Sequence, residues 1–162
     1  MASGDTLFQW RAPGPASYPA SNFATPDVRN NTPVFDFDAA TEEMLYILGL
    51  LPRIYGGGGL TIKLHWAASS ATSGNVVWGV SMERQNTDLD SDSFASEQTA
   101  TSAANGTSGI ESVATITMTS GAQMDSLATG DPFRMAIARK AASGSDTMAG
   151  DAELIALEIY ET

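Results

Sequence analysis

The sequence contains no cysteine in 162 residues. That absence excludes disulfides, thiolate metal ligands and cysteine nucleophiles together. Histidine is nearly absent as well. His65 stands alone, so any imidazole acid–base chemistry has to pass through it. Basic residues are scarce: there are eight, of which only Lys63 and Lys140 are lysines, against 19 acidic residues and a net charge of −11. The arginines are scattered. Without a cluster of cations to neutralise phosphates, a nucleic-acid partner or an anionic membrane surface is excluded. Long hydrophobic runs are missing too. The longest apolar stretch, residues 44–52, is far too short to span a bilayer. No segment has the basic start and apolar centre of a signal peptide, which leads us to expect synthesis in a cytoplasm without classical secretion. Charged residues make up only 17% of the chain, below the usual quarter. Ser, Thr, Ala, Gly and Asn fill the gap, and such a surface suits packing against other subunits.

What is present is a rhythm. From residue 32 to the end, short alternating apolar segments are separated by Gly, Ser, Asp and Asn turns. Pro33 to Asp38 sets Phe35 and Phe37 on one face. Leu60 to Ala67 sets Ile62, Leu64 and Trp66 against Thr61, Lys63 and His65. Asn75 to Arg84 alternates most clearly, with Val76, Trp78, Val80 and Met82 on its apolar side. Residues 109–119, 132–140 and 151–160 alternate likewise. Residues 43–51 are denser in apolar side chains and compatible with a helix by composition, but their short length, the Pro52 stop and the all-β surroundings favour a buried strand. Residues 94–103 form a weak, Thr-bearing segment, and one helical turn is expected near Met124 to Leu127. Helical periodicity and parallel βαβ signals are lacking. The pattern predicts an all-β fold: a single β-sandwich of about eight antiparallel strands, of jelly-roll type, over residues 32–162.

Residues 1–31 read differently. They hold four of the seven prolines and no sustained period, yet carry Leu7, Phe8, Trp10, Tyr18 and Phe23. Proline forbids a helix or central strand here, and five large apolar side chains are too many for a solvated linker. An extended N-terminal arm is expected, with a possible edge strand at Asp5 to Trp10 and with Met1 held by the fold or by a neighbour. These five side chains are the candidate interface residues, packed on their own domain or on a neighbouring subunit.

Chemistry-bearing motifs are weak throughout. Asp88, Asp90 and Asp92 alternate as calcium ligands do, but Ser93 and Thr99 stand where an EF-hand loop needs Gly and Glu, so a solvated acidic loop competes with a metal site. Gly79-Val-Ser81-Met-Glu83 lacks the second glycine of a nucleophile elbow, and Ser81 falls in mid-strand rather than on a tight turn. Gly56 to Gly59 is no P-loop, because no Gly-Lys-Ser/Thr follows. Asp36 and Asp38 share a strand face and would serve a glycosidase only with a further carboxylate placed opposite. Asn30-Asn31-Thr32 and Asn105-Gly106-Thr107 match the glycosylation sequon. Among the tryptophans, Trp66 and Trp78 fall on core faces, leaving Trp10 as the candidate carbohydrate platform. No catalytic residue and no cofactor is assigned.

Several stretches carry a resemblance: Met1-Ala-Ser-Gly-Asp-Thr6, Pro33-Val-Phe-Asp-Phe-Asp38, Leu51-Pro-Arg-Ile-Tyr-Gly-Gly-Gly-Gly-Leu60, Ser69-Ser-Ala-Thr-Ser-Gly-Asn-Val-Val-Trp78 and Gly150-Asp-Ala-Glu-Leu154. Over nearly its whole length the chain resembles a set of small, uncharacterised tailed-bacteriophage proteins. In pattern it is similar to single jelly-roll virion proteins, including capsid decoration (cement) proteins. The resemblance implies a non-enzymatic structural role: a homotrimer on the outer surface of the virion, bound to the major capsid protein and stiffening its shell. An alternative is a tail-fibre or spike module that binds host-surface glycan.

Overall fold

A computed structural model describes residues 4–86 and 88–162. The expected anchoring of Met1 falls outside them. The fold is all-β, built from two antiparallel sheets around a common core. Eleven strands run through the described residues: β1 (Thr6–Arg11), β2 (Ala16–Ser17), β3 (Thr25–Arg29), β4 (Thr32–Phe37), β5 (Met44–Leu50), β6 (Leu60–Ala68), β7 (Asn75–Arg84), β8 (Gln98–Ala103), β9 (Glu111–Met118), β10 (Pro132–Arg139) and β11 (Ala152–Glu161). Where one helical turn is expected near Met124 to Leu127, the structure has a 3-10 turn at Ala122–Met124, ahead of that span.

The first sheet has the order β3-β4-β11-β6-β9, and the second β2-β5-β10-β7-β8. Nearly every connection after β4 crosses from one sheet to the other, so neither sheet forms without its partner. β11 is long enough to hold two neighbours on one edge. Its start, Ala152 to Leu154, pairs with β4, and its remainder, Ala156 to Tyr160, pairs with β1. The hand-over takes place at Ile155, where the register against β6 also shifts. Such a bulge locally breaks the ladder and bends the strand.

The described part of residues 1–31 is thus woven into the sheets through β1, β2 and β3. The boundary expected after residue 31 lies inside the β3–β4 hairpin, whose two turn residues Asn30 and Asn31 both take positive φ, 46° and 62°. Two successive left-handed residues match the twist of a tight hairpin, and Asn tolerates that conformation well. Pro26 sits in β3, an edge strand, where its missing N–H costs no ladder bond.

Aromatic side chains fasten the two sheets together. Trp66 of β6 meets Trp78 of β7 edge-on at 6.1 Å, Phe37 of β4 meets the same Trp78 at 5.0 Å, and Phe8 of β1 meets Phe133 of β10 at 5.4 Å. Edge-to-face pairs of this kind add about 0.5–1.5 kcal/mol beyond the area they bury. Trp66 also donates its indole N–H to Ser102 Oγ at 3.0 Å, closing the corner between the sheets.

One charged group lies inside this core. Arg139, the last residue of β10, points inward opposite Trp78 and is wholly buried. Nε donates to Asp146 Oδ2 at 3.1 Å. Nη1 donates to the Phe37 and Gly150 carbonyls at 3.2 and 2.7 Å. Nη2 donates to Asp146 Oδ1 and the Met148 carbonyl at 2.8 Å each. Every donor of the guanidinium fork is therefore used. Asp146 Oδ2 also accepts from the Val77 N–H at 3.0 Å. The loop between β10 and β11 is thereby tied to the end of β4 and to β7.

Breaking such a pair from one side leaves an uncompensated buried charge, which costs about 3–5 kcal/mol. Asp146→Ala, which leaves the guanidinium unpaired, is expected to lose stability on that scale, while the double variant Asp146→Ala/Arg139→Met, which removes both buried charges, loses less. Urea unfolding of both variants checks the order.

Candidate functional site

The outer face of the first sheet carries most of the exposed chemistry. Directly opposed residues share a face, so the registers place the side chains in rows. One row runs Arg11, Ala156, His65, Val113; the next runs Gln9, Glu158, Lys63, Thr115; a third runs Asp36, Glu153, Ala67, Glu111. The bulge at Ile155 lies between the third row and the first. It leaves a depression on either side. A groove of about 400 Å³ lies toward β1 and His65, and one of about 270 Å³ lies toward Arg29, Val34 and Gly109. Ile155 lines both.

The ionic contacts on this face differ in burial. His65 Nδ1 and Glu111 Oε1 are 2.8 Å apart at a partly open position. Arg29 Nη1 reaches Glu153 Oε2 at 2.7 Å, with the glutamate almost fully covered, and the same nitrogen donates to the Ser69 carbonyl. Beside them the Asp36 carboxyl is pushed up to about 7, first by its own burial and then by the carboxylates of Asp27, Glu153 and Asp151; a hydrogen bond with Asp27 adds to this.

Asp38 does not join that cluster. It lies past the end of β4, and its Oδ1 accepts the Ala40 and Thr41 N–H groups at 2.7 and 2.6 Å. Those two bonds hold its carboxyl below the ordinary range. The Asp36/Asp38 pair suggested by alternation is thus not a working pair. Asp36 faces across the sheet to Glu153, and Asp38 closes a turn.

Asp88, Asp90 and Asp92 occupy a tight turn. Asp88 Oδ1 accepts the Asp90 N–H at 3.0 Å, while its carbonyl accepts the Ser91 and Asp92 N–H groups. Among the described residues, no three carboxylates or histidines are arranged to hold a metal ion. The Gly56–Gly59 loop turns its amides onto a carboxylate of the same chain. Gly56 and Gly58 donate to Glu161 at 3.0 and 2.8 Å and draw its carboxyl down. No sequence pattern joins residues that far apart.

The five candidate interface side chains divide. Leu7 and Trp10 lie in the chain's own core, because β1 pairs with β11 and turns them inward; Trp10 stacks on Phe35 at 5.9 Å. At 5% exposure Trp10 offers no sugar platform. Phe8 is half-covered by Phe133. Tyr18 and Phe23 remain exposed, at 44% and 43%. They touch each other at 5.6 Å, and Tyr18 also meets Phe35 at 6.2 Å. Phe23 bridges to Met44 of the second sheet, so the pair sits at the seam between the sheets.

The comparisons with protein-family models and with curated proteins find no match to this chain.

Asp36 has a consequence for stability. Its folded-state value, about 7, lies above the unfolded 3.8, so the folded protein holds the extra proton between these limits. Stability therefore falls as pH rises from about 4 to about 7, and the cost of ionisation is complete above that window. Asp36→Asn is expected to flatten this decline. The variant gains on the parent at pH 8 and the advantage closes toward pH 4, as urea midpoints across the range would show.

Proposed function

We propose that this chain is a structural protein of a tailed-bacteriophage virion, a trimeric capsid decoration protein that binds the outer surface of the major capsid shell and stabilises it. In this reading the two sheets are the halves of a single jelly roll, a rigid scaffold presenting docking residues. The observation that carries it is the exposed Tyr18–Phe23 pair at the seam. Exposed aromatics with a fixed geometry are the side chains that interfaces use as anchors, because they bury much area at small entropic cost. This pair is fixed: the Ala24 N–H donates to the Met44 carbonyl at 3.1 Å, and the Met44 N–H donates to the Asn22 carbonyl at 3.0 Å. A surface low in charge favours close packing with neighbours, and many copies on one shell convert weak contacts into strong attachment.

The grooves on the outer face of the first sheet favour a second reading, a tail-fibre or spike module that holds a host-surface glycan.

The solution mass separates docking protein from monomeric module. Light scattering is expected to give three times 16.9 kDa for the parent, falling to a single chain's mass in a Tyr18→Ser/Phe23→Ser double variant that unfolds at the parent's urea midpoint. A parent monomeric at every concentration, or a protein missing from purified virions, removes the decoration reading.

A further inference from the structure

We infer that the groove between β1 and β6 is a binding site for a small carboxylated polyhydroxy compound, a sugar acid. The inference starts from Arg11. Five of the eight basic side chains are spent in ion pairs with carboxylates: Arg29, Arg84, Arg134, Arg139 and Lys140. Arg11 makes no ion pair or side-chain hydrogen bond among the described residues. Its side chain lines a concave site of about 400 Å³, roomy enough for one sugar ring.

The floor explains why that site is concave. Ala156 lies directly between Arg11 and His65 in the cross-strand row, and its methyl group leaves space that a larger side chain would fill. Arg11 and His65 are two strands apart, roughly 10 Å between backbones. A bound carboxylate and a ring hydroxyl span that distance.

The rim selects the ligand class. Arg11 offers the planar fork that pairs with a carboxylate through two parallel hydrogen bonds. His65 Nδ1 is held by Glu111 at 2.8 Å, which fixes the ring and leaves Nε2 for a ligand. Gln9 and Glu158 face each other across β1 and β11 and supply both donor and acceptor atoms for hydroxyls. Glu111 and Glu158 flank the Arg11 guanidinium, the one Arg or Lys side chain that lines the groove among the described residues. A dianion such as phosphate would meet two carboxylates against one guanidinium, whereas a monoanion bearing hydroxyls satisfies both signs. The Tyr18–Phe23 seam takes no part, so the site stands whether or not the chain docks on a shell.

The test uses the full chain and D-galacturonate as probe, with glucose and acetate as controls, followed by titration calorimetry. Saturable binding of galacturonate is expected, with glucose and acetate each at least about tenfold weaker, since each lacks one half of the recognised chemistry. Arg11→Gln and, separately, Ala156→Leu are expected to weaken galacturonate at least about tenfold, with urea midpoints unchanged. Galacturonate failing to bind at millimolar concentration overturns the site. Acetate binding as tightly as galacturonate reduces it to a bare anion contact and overturns the sugar acid. Undiminished binding by both variants places the ligand elsewhere and overturns it as well.

Discussion

The arrangement depends on one buried cation. Arg139 sits where a core residue would ordinarily be apolar, and an unpaired charge there would cost many kilocalories. The chain meets the cost by bringing Asp146 and three carbonyls to the guanidinium, using every donor it has. The same contacts bind the end of β4 and the loop after β10, through Asp146, Met148 and Gly150, to a single point. Phe37, whose carbonyl accepts from Arg139, also presses its ring on Trp78. Charge satisfaction and aromatic packing are thus set by the same residue positions.

From that anchored start, β11 organises the first sheet. It takes β6 on one edge and divides the other between β4 and β1. A strand with two successive neighbours needs a place to change between them, and the bulge at Ile155 is that place. The irregularity opens the outer face, with a depression on each side. The N-terminal strand therefore shapes the surface as well as completing the sheet. Arg11 stands opposite His65 only because β1 docks in the second half of that edge.

The eight strands after residue 31 lie close to where the sequence places them. Strand β9, with one face in the core and one outside, carries the period-two imprint of that burial most plainly, whereas β7 and β10 are buried at nearly every position. β3 escaped for a physical reason. All of it but Arg29 is exposed, so nothing in it alternates. The signal that marks it is the Asn30-Asn31 turn, which also reads as a glycosylation sequon. β2, two residues long, has no room for a pattern. The N-terminal aromatics were visible as a group. Their division into core and surface was not, since Leu7 and Trp10 turn inward only through the pairing of β1 with a strand more than 140 residues away.

The sequence by itself determined the all-β class, the strand segments from residue 32 onward and the inward faces of the central strands. These are local consequences of which side chains avoid water. The tertiary structure decided the rest: the use of Arg139 as a core anchor, the coupling of Asp36 to Asp27, Glu153 and Asp151, the closing of the glycine loop on Glu161, and the meeting of Arg11 with His65 over Ala156. Each of these joins residues distant in the chain through strand register. Register is set by the packing of both sheets together, and no single segment encodes it.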